Sequence, residues 1–349
     1  MQVASVASAF PANYYSQEAI GEALKRHWSG KIENPQVLDR LHGRTGVEGR
    51  YLSLPIEAYD EMNTWGKANK AWIETAQKLG MQALCRALDR AGISRGEIGA
   101  IFFVSVTGIA SPSIEGRLIN RMGLSPNIKR VPIFGLGCVA GAAGLARAAD
   151  YVRAYPDQVA ALLSVELCSL TWQRNDLSVA NLISAGLFGD GAAAVLVAGP
   201  ERGVDGPEIL ATRSVFYSNT EEVMGWDISE KGFQIVLSPE VPQMVIRHLA
   251  NDVDSFLQDH ELKREDIGCW IMHTGGPKVL EAMESSLELP EGALDASWES
   301  LRKVGNLSST SVLLVLEEVM NNRRPGPGTY SLLAAMGPGF CSELVLLRW

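Results

Sequence analysis

The sequence has no pair of cysteines spaced C-x-x-C, and its five cysteines (Cys85, Cys138, Cys168, Cys269 and Cys341) are odd in number and far apart. That pattern argues against a disulfide framework and a structural zinc site, and fits a reduced, cytoplasmic setting. No apolar run reaches the ~18 residues of a membrane span. The opening segment MQVASVASAFPANYY lacks the basic start and long apolar core of a signal peptide. Positive charge is also in short supply, with 31 Lys and Arg against 40 Asp and Glu for a net charge of −9. Nucleic acid is therefore not the expected partner, although local arginines can still hold an anionic ligand. No G-x-G-x-x-G lies between a strand and a helix, so no nicotinamide or flavin cradle is expected, and no metal site either.

What the 349 residues do contain is a regular alternation. Short apolar runs bounded by Gly, Pro or Asp predict strands at 100–107, 159–168, 191–199, 269–274, 328–337 and 341–349. Between them, helical periodicity covers 72–92 and 309–322. Strands alternating with helices predict a layered α/β fold. The Gly/Pro-rich AGPERGVDGPEIL (198–210) is the expected boundary, giving halves 1–203 and 204–349. The halves share an outline. In the first, VPIFGLGCVAGAAGL places Cys138 where a helix begins, and in the second, SWESLRKVGNLSSTSVL does the same for Asn306. Each half then closes on a Gly-rich turn and an apolar strand. A duplicated α/β fold, with the two helix starts meeting at one site, is the expectation.

Cys138 is either small core filler or a nucleophile aimed outward by a strand-to-helix turn. A helix N-terminus favours the thiolate, so a lowered thiol pKa is expected there. His273 ends an apolar strand in CWIMHTGGP, where catalytic groups of α/β folds collect. Asn306 reads equally well as a plain helix cap. His27, His42, His248 and His260 sit in polar surroundings and read as solvated. Cysteine, histidine and an amide together can supply a nucleophile, its partner and an oxyanion donor.

GLGCVAGAAGL, LFGDGAAAV, HTGGPKVLEAM, GNLSSTSVL and MGPGF, in that order and spacing, resemble the type III polyketide synthases of the chalcone-synthase superfamily. The similarity covers most of the chain and is weakest before residue 35 and around 200–230. It implies a homodimeric condensing enzyme of the thiolase-like fold, with an α-β-α-β-α core and a triad at Cys138, His273 and Asn306. It also places Phe188 at the junction of coenzyme A tunnel and reaction cavity, and Ile235 where a second guarding phenylalanine stands in the family. That replacement widens the cavity.

The implied reaction loads an acyl-CoA starter on Cys138, decarboxylates malonyl-CoA, and condenses the two with no metal, flavin or nicotinamide. Arg40, Arg44 and Arg50 occupy the region that holds the coenzyme A phosphates in the family, although a solvated basic face explains them as well. Gly275 and Gly276 would let the backbone approach the pantetheine arm. Thr107 and Cys168 match small residues lining a long acyl tunnel in bacterial alkylpyrone-forming members, whereas Trp172 stands where it would block one. A fatty acyl starter and an alkylpyrone or alkylresorcinol product follow from that likeness. The alternatives are a ketoacyl synthase that initiates fatty acid synthesis and a non-catalytic acyl-CoA-binding relative. HTGGP and MGPGF argue against the first, and an intact triad against the second.

Overall fold

Each predicted apolar run forms a strand, within a residue or two at most ends, and the strands join in one continuous sheet system. The computed structural model describes residues 1–32 and 34–349. In chain order the first half carries β1 (Gln2–Ala9), β2 (Asn13–Ser16), α1 (Gln17–His27), α2 (Gln36–His42), β3 (Gly49–Leu52), α3 (Trp65–Ala91) and β4 (Ile98–Val104). There follow α4 (Ile114–Met122), β5 (Lys129–Ile133), α5 (Ala140–Ala154), β6 (Val159–Leu167), α6 (Val179–Leu187) and β7 (Asp190–Ala198). The second half carries β8 (Glu208–Phe216), β9 (Met224–Ser229), β10 (Gly232–Leu237), α7 (Val241–Gln258) and β11 (Ile267–Met272). It ends with α8 (Pro277–Leu287), α9 (Asp295–Val304), α10 (Ser311–Asn322), β12 (Tyr330–Gly337) and β13 (Cys341–Arg348).

The strand order is β11-β12-β13-β8-β1-β7-β6-β4-β5. Its two halves meet at β1 and β8 through one residue pair, Gln2 with Glu208. Backbone bonds from Val3 N–H to Pro207 O (2.9 Å) and from Ile209 N–H to Met1 O (2.7 Å) flank that seam. Period-two alternation then sorts side chains into layers. On β6, Ala161, Leu163 and Val165 face the cluster around α3, while Ala160 and Leu162 face α5 and α10. On β12, Leu333 and Ala335 face those same two helices, and Leu332, Ala334 and Met336 face α7 and α8. Five layers result, with α5 and α10 sandwiched between the two halves of the sheet. Both faces of the sheet are buried along β6, β7 and β12, which is why these strands read as largely apolar runs.

Local signals set the helix ends. The Thr64 side chain accepts from Lys67 N–H (3.3 Å) to open α3, and Gly92, with φ of 63°, closes it. The small residues of α5 let it lie close to the sheet, because a Cβ at Gly144 would come within 2.5 Å of Leu162. Among the described residues no helix is long and apolar enough to cross a membrane.

Candidate active site

Cys138 sits in a one-turn 3-10 segment, Gly137–Val139, that leads directly into α5. Gly137 has φ of 56°, and a Cβ there would meet Pro338 at 2.7 Å, so the turn is pressed against the MGPGF loop. The start of α5 lies equally close to the start of α10. A Cβ at Gly141 would meet the carbonyl of Ser309 at 2.2 Å. Cys138 Sγ donates to Ser308 Oγ at 3.6 Å, and Ser164 Oγ lies 2.9 Å from Ser309 Oγ and 2.7 Å from Thr310 Oγ1. The two helix starts therefore meet, as the duplicated outline suggested.

Asn306 is locked to the first half through a parallel bridge with Phe188. Asn306 N–H donates to Leu187 O (2.9 Å), and Gly189 N–H donates to Asn306 O (3.0 Å). Its side-chain oxygen accepts from Ser308 N–H (2.8 Å) and from the Ser311 hydroxyl (3.3 Å). That capping work fixes the amide orientation and leaves the NH2 group without a partner among the described residues. His273 follows β11, and its N–H donates to Ala334 O (3.0 Å) of β12, the strand whose far end at Gly337 abuts the Cys138 turn. The imidazole is buried, and neither ring nitrogen has a partner among the described residues.

The expected low thiol pKa is not what the structure gives. Burial pushes Cys138 up to about 12, against a smaller lowering by Ser308, and the Glu166 carboxyl adds to the rise. Burial likewise pushes His273 down to about 4. The thiol donates its hydrogen bond to a serine rather than to the imidazole, and the thiol and imidazole both stand neutral. Desolvation of a buried thiolate outweighs the dipole of one helix end.

Two residues central to this arrangement were not singled out from the sequence. Ser308 lies in the GNLSST run, two positions after Asn306, and a serine among serines carries no signal of its own. Glu166 is a carboxylate inside a largely apolar strand, which is itself a signal, since such groups are almost never buried without partners. It accepts from Thr107 Oγ1 (2.9 Å), Val106 N–H (3.1 Å), Ser105 Oγ (3.3 Å) and the Ser309 hydroxyl. Burial raises it to about 7.

A cavity of about 430 Å³ has Phe188, Ile235, Cys168 and Trp172 in its walls. Four residues expected to shape the substrate space are thus brought together, and Trp172 packs edge-on to Trp28 (5.5 Å) and His27 (4.8 Å). Thr107 is not among the residues lining this cavity, and its hydroxyl is held between Glu166, Trp72 Nε1 (3.2 Å) and Leu167 N–H (2.9 Å). Arg50 is a correction. It is 1% exposed, and its guanidinium donates to Gly186 O (2.8 Å), Ala185 O and Gln17 Oε1. Those carbonyls, not a cofactor phosphate, take its charge. Arg40, on α2, and Arg44, just beyond it, are exposed. Gly276 has φ of 129°, and a Cβ at Gly275 would meet Val279 at 2.8 Å, so the fold requires both glycines whatever they contact. His42, expected to be solvated, is buried with Nε2 3.0 Å from Leu182 O.

Five layers around two facing helix starts, with a buried thiol, imidazole and amide, define a thiolase-like condensing enzyme. Residues 1–200 match the model of the chalcone and stilbene synthases, N-terminal domain, and residues 208–349 that of the C-terminal domain. The chain belongs to the chalcone and stilbene synthase family and is a type III polyketide synthase. It is 50% identical over 350 residues to the 1,3,6,8-tetrahydroxynaphthalene synthase of Streptomyces peucetius subsp. caesius, covering 99% of this chain and 93% of that protein. It is 31% identical to the phloroglucinol synthase of Pseudomonas fluorescens, covering 97% of each. The solved 1,3,6,8-tetrahydroxynaphthalene synthase of Streptomyces coelicolor A3(2) superposes with a TM-score of 0.95 at 32% identity, covering 100% of this chain and 99% of that one.

Proposed function

We propose that this polyketide synthase builds a polyhydroxylated aromatic from malonyl-CoA, with malonyl-CoA serving as both starter and extender. The carrying observations are a buried thiol tied through Ser308 to Asn306, an imidazole with both nitrogens unpartnered, and an amide whose NH2 is left free. Buried polar atoms of this kind await a ligand. His273 takes the Cys138 thiol proton as sulfur attacks the thioester carbonyl, and coenzyme A leaves as its thiol with that proton. An extender malonyl-CoA then loses carbon dioxide. The electron pair of the broken C–C bond forms a thioester enolate, whose oxygen is held by donors from His273 and Asn306. The enolate carbon attacks the Cys138 thioester, sulfur departs, and the chain returns to coenzyme A two carbons longer. Four extenders lose carbon dioxide at condensation and the starter loses its own carboxyl group as a fifth carbon dioxide as the rings close, so five malonyl units leave the ten carbons of a naphthalene, the product named for two of the relatives. The sequence balances without a metal or redox cofactor.

A fatty acyl starter, giving an alkylpyrone or alkylresorcinol, is the second reading, favoured by the apolar side chains Ile20, Leu24 and Ile56 in the cavity wall. Exposed Arg40 and Arg44 remain suited to the coenzyme A phosphates, and the free cysteines suit a reduced cytoplasm. A homodimer is supported by β5, a sheet-edge strand with four of its five residues exposed, and by the exposed Ile109 and Phe134. Light scattering at micromolar concentration giving a monomer mass would discard that dimer. Incubation with malonyl-CoA alone, read by mass spectrometry, should yield a ten-carbon polyphenol or its oxidation product. Product appearing only when a long acyl-CoA is added overturns the aromatic reading.

A further inference from the structure

The β9–β10 hairpin is a separate two-stranded sheet, outside the nine-stranded one. Trp226 and Ile235 stand opposite one another in its register, and both are in the cavity wall. A lone ribbon of two strands is marginally stable in water, so its position depends on what holds it. Packing supplies one hold. Phe233, 3% exposed, meets the rings of Trp65 (6.1 Å) and Phe134 (6.2 Å) from the first half. Hydrogen bonding supplies the other. Among the described residues, the only hydrogen bonds between 224–237 and the rest of the chain come from the side-chain amide of Gln173, which donates to Phe233 O (3.0 Å) and Lys231 O (3.2 Å). The third group beside that amide, Thr171 O (3.1 Å), is also a carbonyl, so only the NH2 end of the amide fits there.

Gln173 sits on a segment that is itself fixed. Its carbonyl accepts from Asn181 Nδ2 (2.9 Å). The next residue, Arg174, donates to the carbonyls of Tyr59 and Asp60 (2.7 Å each), and its own carbonyl accepts from Trp28 Nε1 (2.8 Å). The residue before it, Trp172, is in the cavity wall and packs against Trp28 and His27. Gln173 is not itself part of the lining. It therefore joins, from outside the cavity, the wall that carries Trp172 to the wall that carries Trp226 and Ile235. With its two bonds the hairpin has one position, and without them Phe233 alone restrains it. Cys138, His273 and Asn306 make no hydrogen bond to Gln173 or to the hairpin, so the reacting groups do not depend on this tie.

We infer that Gln173 is a positioning residue that sets specificity: by tying the β9–β10 hairpin to the Trp172 segment, it limits the length of polyketide chain that the cavity accepts. The inference rests on this cavity being the space for the growing chain, whichever starter is used. Gln173→Glu keeps the shape of the side chain and removes both donors, and Gln173→Leu removes them without adding charge. Amide hydrogen exchange of the full-length proteins, read by mass spectrometry of peptides, should be about fivefold or more faster across 224–237 in both variants, with α5 and α10 changed less than about twofold. Products are then compared by mass spectrometry from malonyl-CoA alone and from malonyl-CoA with hexanoyl-CoA or dodecanoyl-CoA. Each variant should raise the share of products longer than the main wild-type product by about threefold or more, while malonyl-CoA decarboxylation stays within about twofold, because the reacting groups are not coupled to the tie. Unchanged exchange in the hairpin, faster exchange with wild-type products, or decarboxylation that falls in step with product formation overturns the role of Gln173. A shift to longer products in the acyl-CoA reactions, with no product from malonyl-CoA alone, upholds that role and refutes the aromatic reading instead.

Discussion

Removing the imidazole of His273 tests the chemistry most directly. Both ring nitrogens are buried and unpartnered, so no neighbouring group stands ready to substitute for them. In His273→Ala the enolate loses one donor, and malonyl-CoA decarboxylation should fall ~100- to 1,000-fold, about 2.7–4 kcal/mol of transition-state stabilisation. Loading of Cys138 loses its base as well, and general-base catalysis adds a typical ~100-fold or more. The pH profile of loading, measured as single-turnover acylation by intact-protein mass spectrometry, gives an independent reading. With the imidazole pushed down to about 4, the base is neutral through pH 7 and is lost only as pH falls toward 4. At pH 5 about nine tenths of the wild-type loading rate should remain. An imidazole at its ordinary value of about 6.5 would leave only a few per cent. A loading profile that breaks near 6.5, or a His273→Ala variant that decarboxylates at the wild-type rate, refutes the reasoning.

Four further outcomes concern other parts of the molecule. His42 is pushed down to about 4 by burial, so the unfolded chain binds more protons below 6.5 and stability falls between pH 6.5 and 4. Urea unfolding at pH 7 and pH 5 should show about 2 kcal/mol less loss in His42→Gln than in wild type, and equal losses in the two proteins would contradict this. Cys168→Phe should fill the cavity and shorten the products seen by mass spectrometry, whereas Thr107→Phe should instead lower stability by about 2 kcal/mol or more, since it breaks the Glu166 bonds. Shortened products from Thr107→Phe at wild-type stability would show that this residue does line the substrate space. Gly305 has φ of 75°, and a Cβ there would lie 2.5 Å from Leu187 O, so Gly305→Ala should disturb the Phe188–Asn306 bridge and cut product formation at least ~10-fold, a loss of about 1.4 kcal/mol. Wild-type turnover in that variant would show that the bridge does not position Asn306.

Much of the fold was legible in the chain because burial leaves a linear trace. β6, β7 and β12 are covered on both faces, so each appears as a largely apolar run between Gly, Pro or Asp. β1 escaped notice since its serines and alanines carry little apolar signal, although it lies at the seam of the sheet. Cys138 and Asn306 stood out from their helix starts, and His273 from its strand end, because glycines and strand termini are local features.

The environments of those residues were not local. Whether a thiol at a helix start is ionised depends on the water it loses to the opposite half of the chain and on Glu166, 28 positions away in sequence. Arg50 and His42 read as surface groups because their segment is polar. Their burial was decided by α6, which arrives more than a hundred residues later and presents carbonyls to both. The hydroxyl of Thr107 is held by Glu166 and Trp72, partners that its own segment does not announce. Sequence by itself determined which side chains could do the chemistry and roughly which elements carry them, since periodicity and turn residues act over a few positions. Tertiary structure alone decided which of them meet, which are dry and which are already bonded, because desolvation and hydrogen-bond saturation arise from partners that only folding brings together.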